Sequence, residues 1–190
     1  MKEVRIHARG GQGALSFAEA VVIAATLEGK FASAFPITTS EKIRAPFTVF
    51  LRLDEHPIRE KTQVYQPDCL VVMEATRARS VDLVQGIKRD SILLWNGQRL
   101  PGRLPSEIIR VGLIDATGIA RELLGSPTGT PDLCGATLGA FAVTTGWVKL
   151  ESVTQAIKQT YAPALAEKHS KAATLAYENT RVVSALNCIN

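Results

Sequence analysis

The chain has 190 residues, 46% of them hydrophobic and 21% charged, which is the balance of a globular protein and excludes a disordered or collagen-like one. A net charge of +4 suits an anionic small molecule as well as plain solubility. The length fits one α/β domain that buries roughly 70% of its unfolded surface and needs no staples. No run of about 18 apolar residues is present, which excludes a membrane-spanning helix.

Glu3–Ala8 alternates and is rich in β-branched residues, so it reads as a strand, stopped by Arg9-Gly10-Gly11. Ala14–Glu28, free of Pro and Gly and ended by Gly29, reads as a helix apolar nearly all round. Lys30–Ala34 suits a short strand. The polar segment 36–46, bracketed by Pro36 and Pro46, suits a loop. Phe47–Leu53 is a strand, and the short Asp54–Pro57 turn suggests that the next segment pairs antiparallel with it.

Cys69–Met73 and Ser91–Trp95 are continuous apolar runs of buried-strand length, and Ala78–Ile87 between them looks helical. Asn96-Gly97 is a turn signal, Ile108–Ile114 a further strand, and Ala116–Leu124 a helix ended by Gly125. Leu133–Gly146 carries Gly135, Ala136, Gly139 and Ala140 at helical spacing, which lets a backbone approach closely, in core packing or in a subunit contact. Glu151–Tyr161 and Pro163–Val183 are amphipathic, with Pro163 in a first helical turn. Alternating strands and helices predict an α/β fold: a three-layer α/β/α single domain over residues 1–183 with a mixed, largely parallel sheet, and a frayed tail over 184–190.

The strongest local motif is Arg9-Gly10-Gly11-Gln12-Gly13, between the first strand and the first helix. Glycines there permit a tight turn and turn backbone N–H groups and a helix N-terminus toward an anion. Ser16 stands where a dinucleotide fingerprint needs its third glycine, and the acidic residue about 20 positions on is missing, so NAD is disfavoured. No Gly-Lys-Ser/Thr follows, which removes a P-loop. A tight structural turn remains an alternative to a phosphate cradle.

Thr38–Arg44 brings hydroxyls and cations to the same end of the sheet, with Ser40 and Arg44 as candidate anion ligands. Arg77 and Arg79 read as a solvated face, and His7, His56 and His169 have no ligand spacing. Cys69, Cys134 and Cys188 are far apart, with no cluster spacing. Few aromatics, not interleaved with basic residues, argue against nucleic acid. The N-terminus enters a strand pattern with no signal-peptide core, so the chain reads as cytoplasmic.

The ordered series Arg9–Gly13, Glu28-Gly29-Lys30, Ala34-Phe35-Pro36, Arg44-Ala45-Pro46, Pro57-Ile58-Arg59, Gln63–Asp68 and Leu138-Gly139-Ala140 resembles the gamma subunit of 2-oxoacid:ferredoxin oxidoreductases, over residues 3 to 180. The resemblance implies a subunit inactive alone. It implies alpha, beta and delta-type partner subunits and, indirectly, ferredoxin or another electron acceptor. It implies oxidative decarboxylation of a 2-oxo acid, usually to an acyl-CoA, with thiamine diphosphate and [4Fe-4S] clusters held by the partners and coenzyme A used in the complex. Arg9, Gly10, Gly11, Gln12, Gly13, Ser40 and Arg44 then face a shared cleft. Ile43-Arg44-Ala45-Pro46 departs from the family's Arg-Gly-Ala-Pro, and Asp132-Leu133-Cys134 from its Asn-Met-Val-like run. The other class weighed is a free-standing CoA- or nucleotide-binding regulatory module.

Overall fold

The computed structural model describes residues 1–37, 46–74, 76, 83–100, 102, 104–125 and 129–184. Seven strands form one sheet: β1 (Lys2–Arg9), β2 (Phe31–Pro36), β3 (Pro46–Asp54), β4 (Cys69–Val72), β5 (Ser91–Asn96), β6 (Ile108–Ile114) and β7 (Arg181–Ser184). Their order is β2-β3-β1-β4-β5-β6-β7. The pairs β1–β4, β4–β5 and β5–β6 are parallel, while β3 on β1, β2 on β3 and β7 on β6 are antiparallel. The predicted α/β fold with a mixed sheet is therefore what forms, with a parallel centre and antiparallel edges.

The central strands alternate between two apolar clusters, which is why they read as unbroken hydrophobic runs. Cys69, Val71, Ile92 and Leu94 point to one face, and Leu70, Val72, Leu93 and Trp95 to the other. The first face carries the helices α1 (Ala14–Leu27), α2 (Ala116–Leu124), α3 (Cys134–Thr145), α4 (Leu150–Thr160) and α5 (Pro163–Asn179). The second is covered by Leu83, Val84, Ile87, Leu100 and Leu104. Arg5 of β1 ties that cover down, donating to the carbonyls of Leu83 (3.0 Å) and Gln85 (2.7 Å).

Helix α3 is the centre of the helical layer, with eleven of its twelve residues buried. Its small residues serve packing inside the chain: a Cβ at Gly135 would meet the His169 backbone, and one at Gly139 would run into the carbonyl oxygen of Ala173, both on α5. Phe17 of α1 closes on Phe141 edge to face, with ring centroids 5.5 Å apart.

Three expectations are corrected. No strand follows the Asp54–Pro57 turn, because both edges of β3 are taken, by β1 and by β2. The segment is held instead by Arg52, whose buried guanidinium donates to Glu3 (3.0 Å) and to the carbonyl of Thr62 (2.7 Å). The last helix stops at Asn179, since Thr180 turns extended (φ −70°, ψ 119°), and Arg181–Ser184 returns as β7, taking in the first residue of the expected tail. Residues 83–86 of the expected Ala78–Ile87 helix form turns, while 78–82 lie outside the described residues.

Candidate functional site

From β1 the chain moves to the β3–β2 side of the sheet, and β4, β5 and β6 build the other side. The β1–β4 boundary is therefore a topological switch point, where open α/β sheets form a crevice beyond the carboxyl ends of their strands. A cleft of about 370 Å³ lies there, lined by Arg9, Gln12, Glu74, Thr76, Asn96, Thr117 and Arg121 and by Gly129–Pro131. A wider hollow of about 540 Å³, between α2, α5 and β7, shares no lining residue with it.

Arg9 and Gln12, of the glycine loop, form one wall. Gly11 and Gly13 take φ of +89° and +76°, and Gly13 is the N-cap of α1. Gln12 is buried and acts as the pin of the turn. Its Oε1 accepts the Arg9 N–H (2.8 Å), its Nε2 donates to Glu74 (3.0 Å), and its carbonyl accepts the Leu133 N–H (3.0 Å). Gly10 continues β1 and is buried. Arg9, with its side chain 41% exposed, donates to Thr76 Oγ1 (2.9 Å) and lies 3.5 Å from Glu74. Arg121, on α2, is exposed and makes no ion pair among the described residues. Asn96 joins three strand and helix ends, donating to the Met73 carbonyl (2.7 Å) and Thr117 Oγ1 (2.9 Å) and accepting the Thr117 N–H (3.3 Å).

Behind the loop stands Asp132. Its Oδ1 accepts the Cys134 N–H at the start of α3 (2.9 Å), and a Cβ on Gly13 would collide with the same oxygen. Its Oδ2 accepts the Tyr161 hydroxyl (3.3 Å) and lies 3.8 Å from His169 Nε2. His169 is fully buried, stacks on Tyr161 at 4.1 Å, and accepts the Gly135 N–H at Nδ1 (3.2 Å). Burial pulls its pKa below the ordinary value, outweighing the opposite pull of Asp132. Burial also raises the pKa of the Cys69 and Cys134 thiols and the Tyr161 phenol, which keeps all three neutral.

Of the sequence candidates, Arg9 and Gln12 line this cleft, Gly10, Gly11 and Gly13 belong to the turn around Gln12 and do not line it, and Ser40 and Arg44 lie outside the described residues. Sequence reasoning missed Glu74, Asn96, Arg121 and Asp132. The available signal was position: Glu74 and Asn96 are polar residues at the carboxyl ends of buried parallel strands, and Asp132 precedes a helix. Among the described residues, no three His, Cys, Asp or Glu side chains are grouped to hold a metal, and no helix is long and apolar enough to cross a membrane.

Residues 3–179 match the family described as pyruvate ferredoxin/flavodoxin oxidoreductase. The common gamma subunit of pyruvate/ketoisovalerate oxidoreductases from Pyrococcus abyssi is 44% identical over 96% of this chain and 98% of that protein. Pyruvate synthase subunit PorC from Methanothermobacter marburgensis is 40% identical over 95% and 98%. The crystal structure of pyruvate oxidoreductase subunit PORC from Thermotoga maritima has the same fold, with a TM-score of 0.78 and 28% identity over 95% of this chain and 97% of that one. The chain belongs to the pyruvate ferredoxin/flavodoxin oxidoreductase family, as a member of its gamma-subunit type.

Proposed function

We propose that the chain is the gamma subunit of a thiamine-diphosphate-dependent 2-oxoacid:ferredoxin oxidoreductase and completes the cleft in which a 2-oxo acid is oxidatively decarboxylated to an acyl-CoA. The observation that carries this reading is the end-to-end similarity to gamma subunits, 44% over 96% of the chain. Alpha, beta and delta-type subunits are its partners, with ferredoxin or another acceptor taking the electrons from them. Cys69 and Cys134 sit fully buried in separate elements and do not fit a cluster site, so the [4Fe-4S] clusters, like thiamine diphosphate, are assigned to the partner chains. Cytoplasmic work suits their free thiols.

Within the complex, Arg9 and the glycine loop through Gly13, with Ser40 and Arg44, face an anionic group, either a CoA phosphate or the substrate carboxylate. Gln12 shapes this wall from behind, because its side chain is spent on Arg9 and Glu74.

Co-expression with the partner subunits tests the reading. The assembled complex reduces ferredoxin with pyruvate or a branched 2-oxo acid and CoA, and the chain alone does not; failure of the chain to assemble with such partners overturns it. Arg44→Ala in the complex removes one charge-assisted hydrogen bond, about 1.5–3 kcal/mol or roughly 10- to 150-fold in kcat/KM. Thiamine diphosphate and iron contents stay level. Kinetics unchanged for both oxo acid and CoA remove Arg44 from the site.

A further inference from the structure

Gly129–Pro131 line the cleft beside the glycine loop, and the loop they belong to, Gly129–Leu133, is fixed from behind by groups that no part of the proposed reaction uses. Asp132 stands at two helix N-termini at once. It accepts the first N–H of α3 from Cys134, and it lies against Gly13, the N-cap of α1, which has no side chain with which to cap the helix. A carboxylate in that place is favoured by both helix dipoles. The neighbouring α3 amide, Gly135 N–H, is met by His169 Nδ1. Because Nδ1 accepts, the neutral ring carries its proton on Nε2, a fully buried atom with no hydrogen-bond partner among the described residues that lies 3.8 Å from Asp132 Oδ2. The Tyr161 hydroxyl, 3.3 Å away, holds the same oxygen. From Asp132 the connection runs forward: Leu133 N–H donates to the Gln12 carbonyl, and Gln12 holds Arg9 and Glu74 in the cleft.

We propose that Asp132 is a positioning residue, the built-in anion of the α1 and α3 N-termini, oriented by Tyr161 and His169, and that it holds the glycine loop in its ligand-ready shape before any ligand arrives. The positive end of α1 is thereby answered in part from within the chain, and Arg9 and Arg121 add their charge on the cleft side. The effect on turnover rests on the function proposed above, whereas the effect on the loop does not.

The test therefore begins with the full chain by itself. Hydrogen exchange is followed at residues 11–16 and 134–136, with β4 and β5 as internal reference, in wild type, Asp132→Ala and Asp132→Asn. Asp132→Ala is expected to speed exchange in the two segments at least tenfold more than in the reference strands. Asp132→Asn, which keeps an acceptor and the shape, recovers part of the protection. Equal acceleration in reference and loop amides, or no change at residues 11–16, overturns the proposal. In the assembled complex, Asp132→Ala is expected to raise KM for pyruvate or CoA by more than it lowers kcat; a fall in kcat alone also overturns it. A wild-type complex without turnover refutes the functional reading, and the exchange experiment still decides the role of Asp132.

Discussion

A side chain added at Gly11 would have room, its nearest neighbour being Thr130 Cγ2 at 3.7 Å, yet the backbone there sits at φ +89°. At Gly139 the backbone is ordinary helix, yet a Cβ would strike the carbonyl oxygen of Ala173. The glycine loop and α3 thus use one residue type for opposite reasons, a backbone shape in the first and a distance between helix axes in the second. Gly13 combines them, with φ +76° and Asp132 against its Cα. The glycine that sets a conformation stands in the turn beside the cleft-lining Arg9 and Gln12, and the glycine that sets a spacing is buried in α3. Substitution should separate the two kinds cleanly.

The largest effect is expected at Gly139. The opposing atom in Gly139→Ala is backbone, so relief requires α3 and α5 to part and the core around Ala172, Ala173 and Ala176 to open. Overpacking at its upper end costs about 3 kcal/mol. At this chain length that lowers Tm by roughly 6–12 °C. Calorimetry on the chain alone checks it, and an unchanged Tm would show that the two helices are not this close.

Smaller effects are expected in the loop. Gly11→Ala meets only the left-handed backbone, a cost of about 1–2 kcal/mol. Gly13→Ala meets the same strain and must also displace Asp132, so it should be the more damaging of the two in urea unfolding. The reverse order would remove Asp132 from the face of Gly13 and with it the difference drawn between the two positions.

The parts of the molecule open to sequence reasoning are those where one physical cause dominates. β4 and β5 are legible because each is buried on both faces, and α1 because Gly29 stops it. The fate of the small residues of α3 stays open in sequence, since a close approach is visible there but its partner is not; α5 supplies the partner. β7 is hidden because helix α5 runs to Asn179 with neither glycine nor proline to mark its end, and what ends it is pairing with β6, a non-local event. In the site, the glycine turn is legible and its supports are not. Glu74, Asn96 and Asp132 are far apart in sequence and ordinary in type, and only the switch point between β1 and β4 gives them a common purpose.

The smallest predicted effect concerns pH and sharpens the comparison from behind the loop. His169 is buried among Tyr161, the α3 amides and Asp132, the charged group that acts on it, and its folded pKa lies below the ordinary 6.5. Protonation would also put a hydrogen on Nδ1, which now accepts from Gly135. In the window just below pH 6.5 the unfolded chain therefore binds more protons than the folded one. Stability contributed by neutral His169 is complete above that pH and is lost as pH falls toward the folded pKa. The carboxylate of Asp54, held by the N-terminal ammonium, is pulled down to about 2. It does not titrate in the window between pH 5 and 6.5. Urea midpoints across that window are expected to fall with pH in wild type. In His169→Gln, whose amide oxygen can still accept the Gly135 N–H, the midpoint should start lower and change less with pH. Equal slopes in the two proteins would mean that folding leaves the His169 pKa unchanged, and a wild-type midpoint that rises relative to the variant as pH falls would mean that its contact with Asp132 is an ion pair rather than the meeting of a neutral ring with a carboxylate.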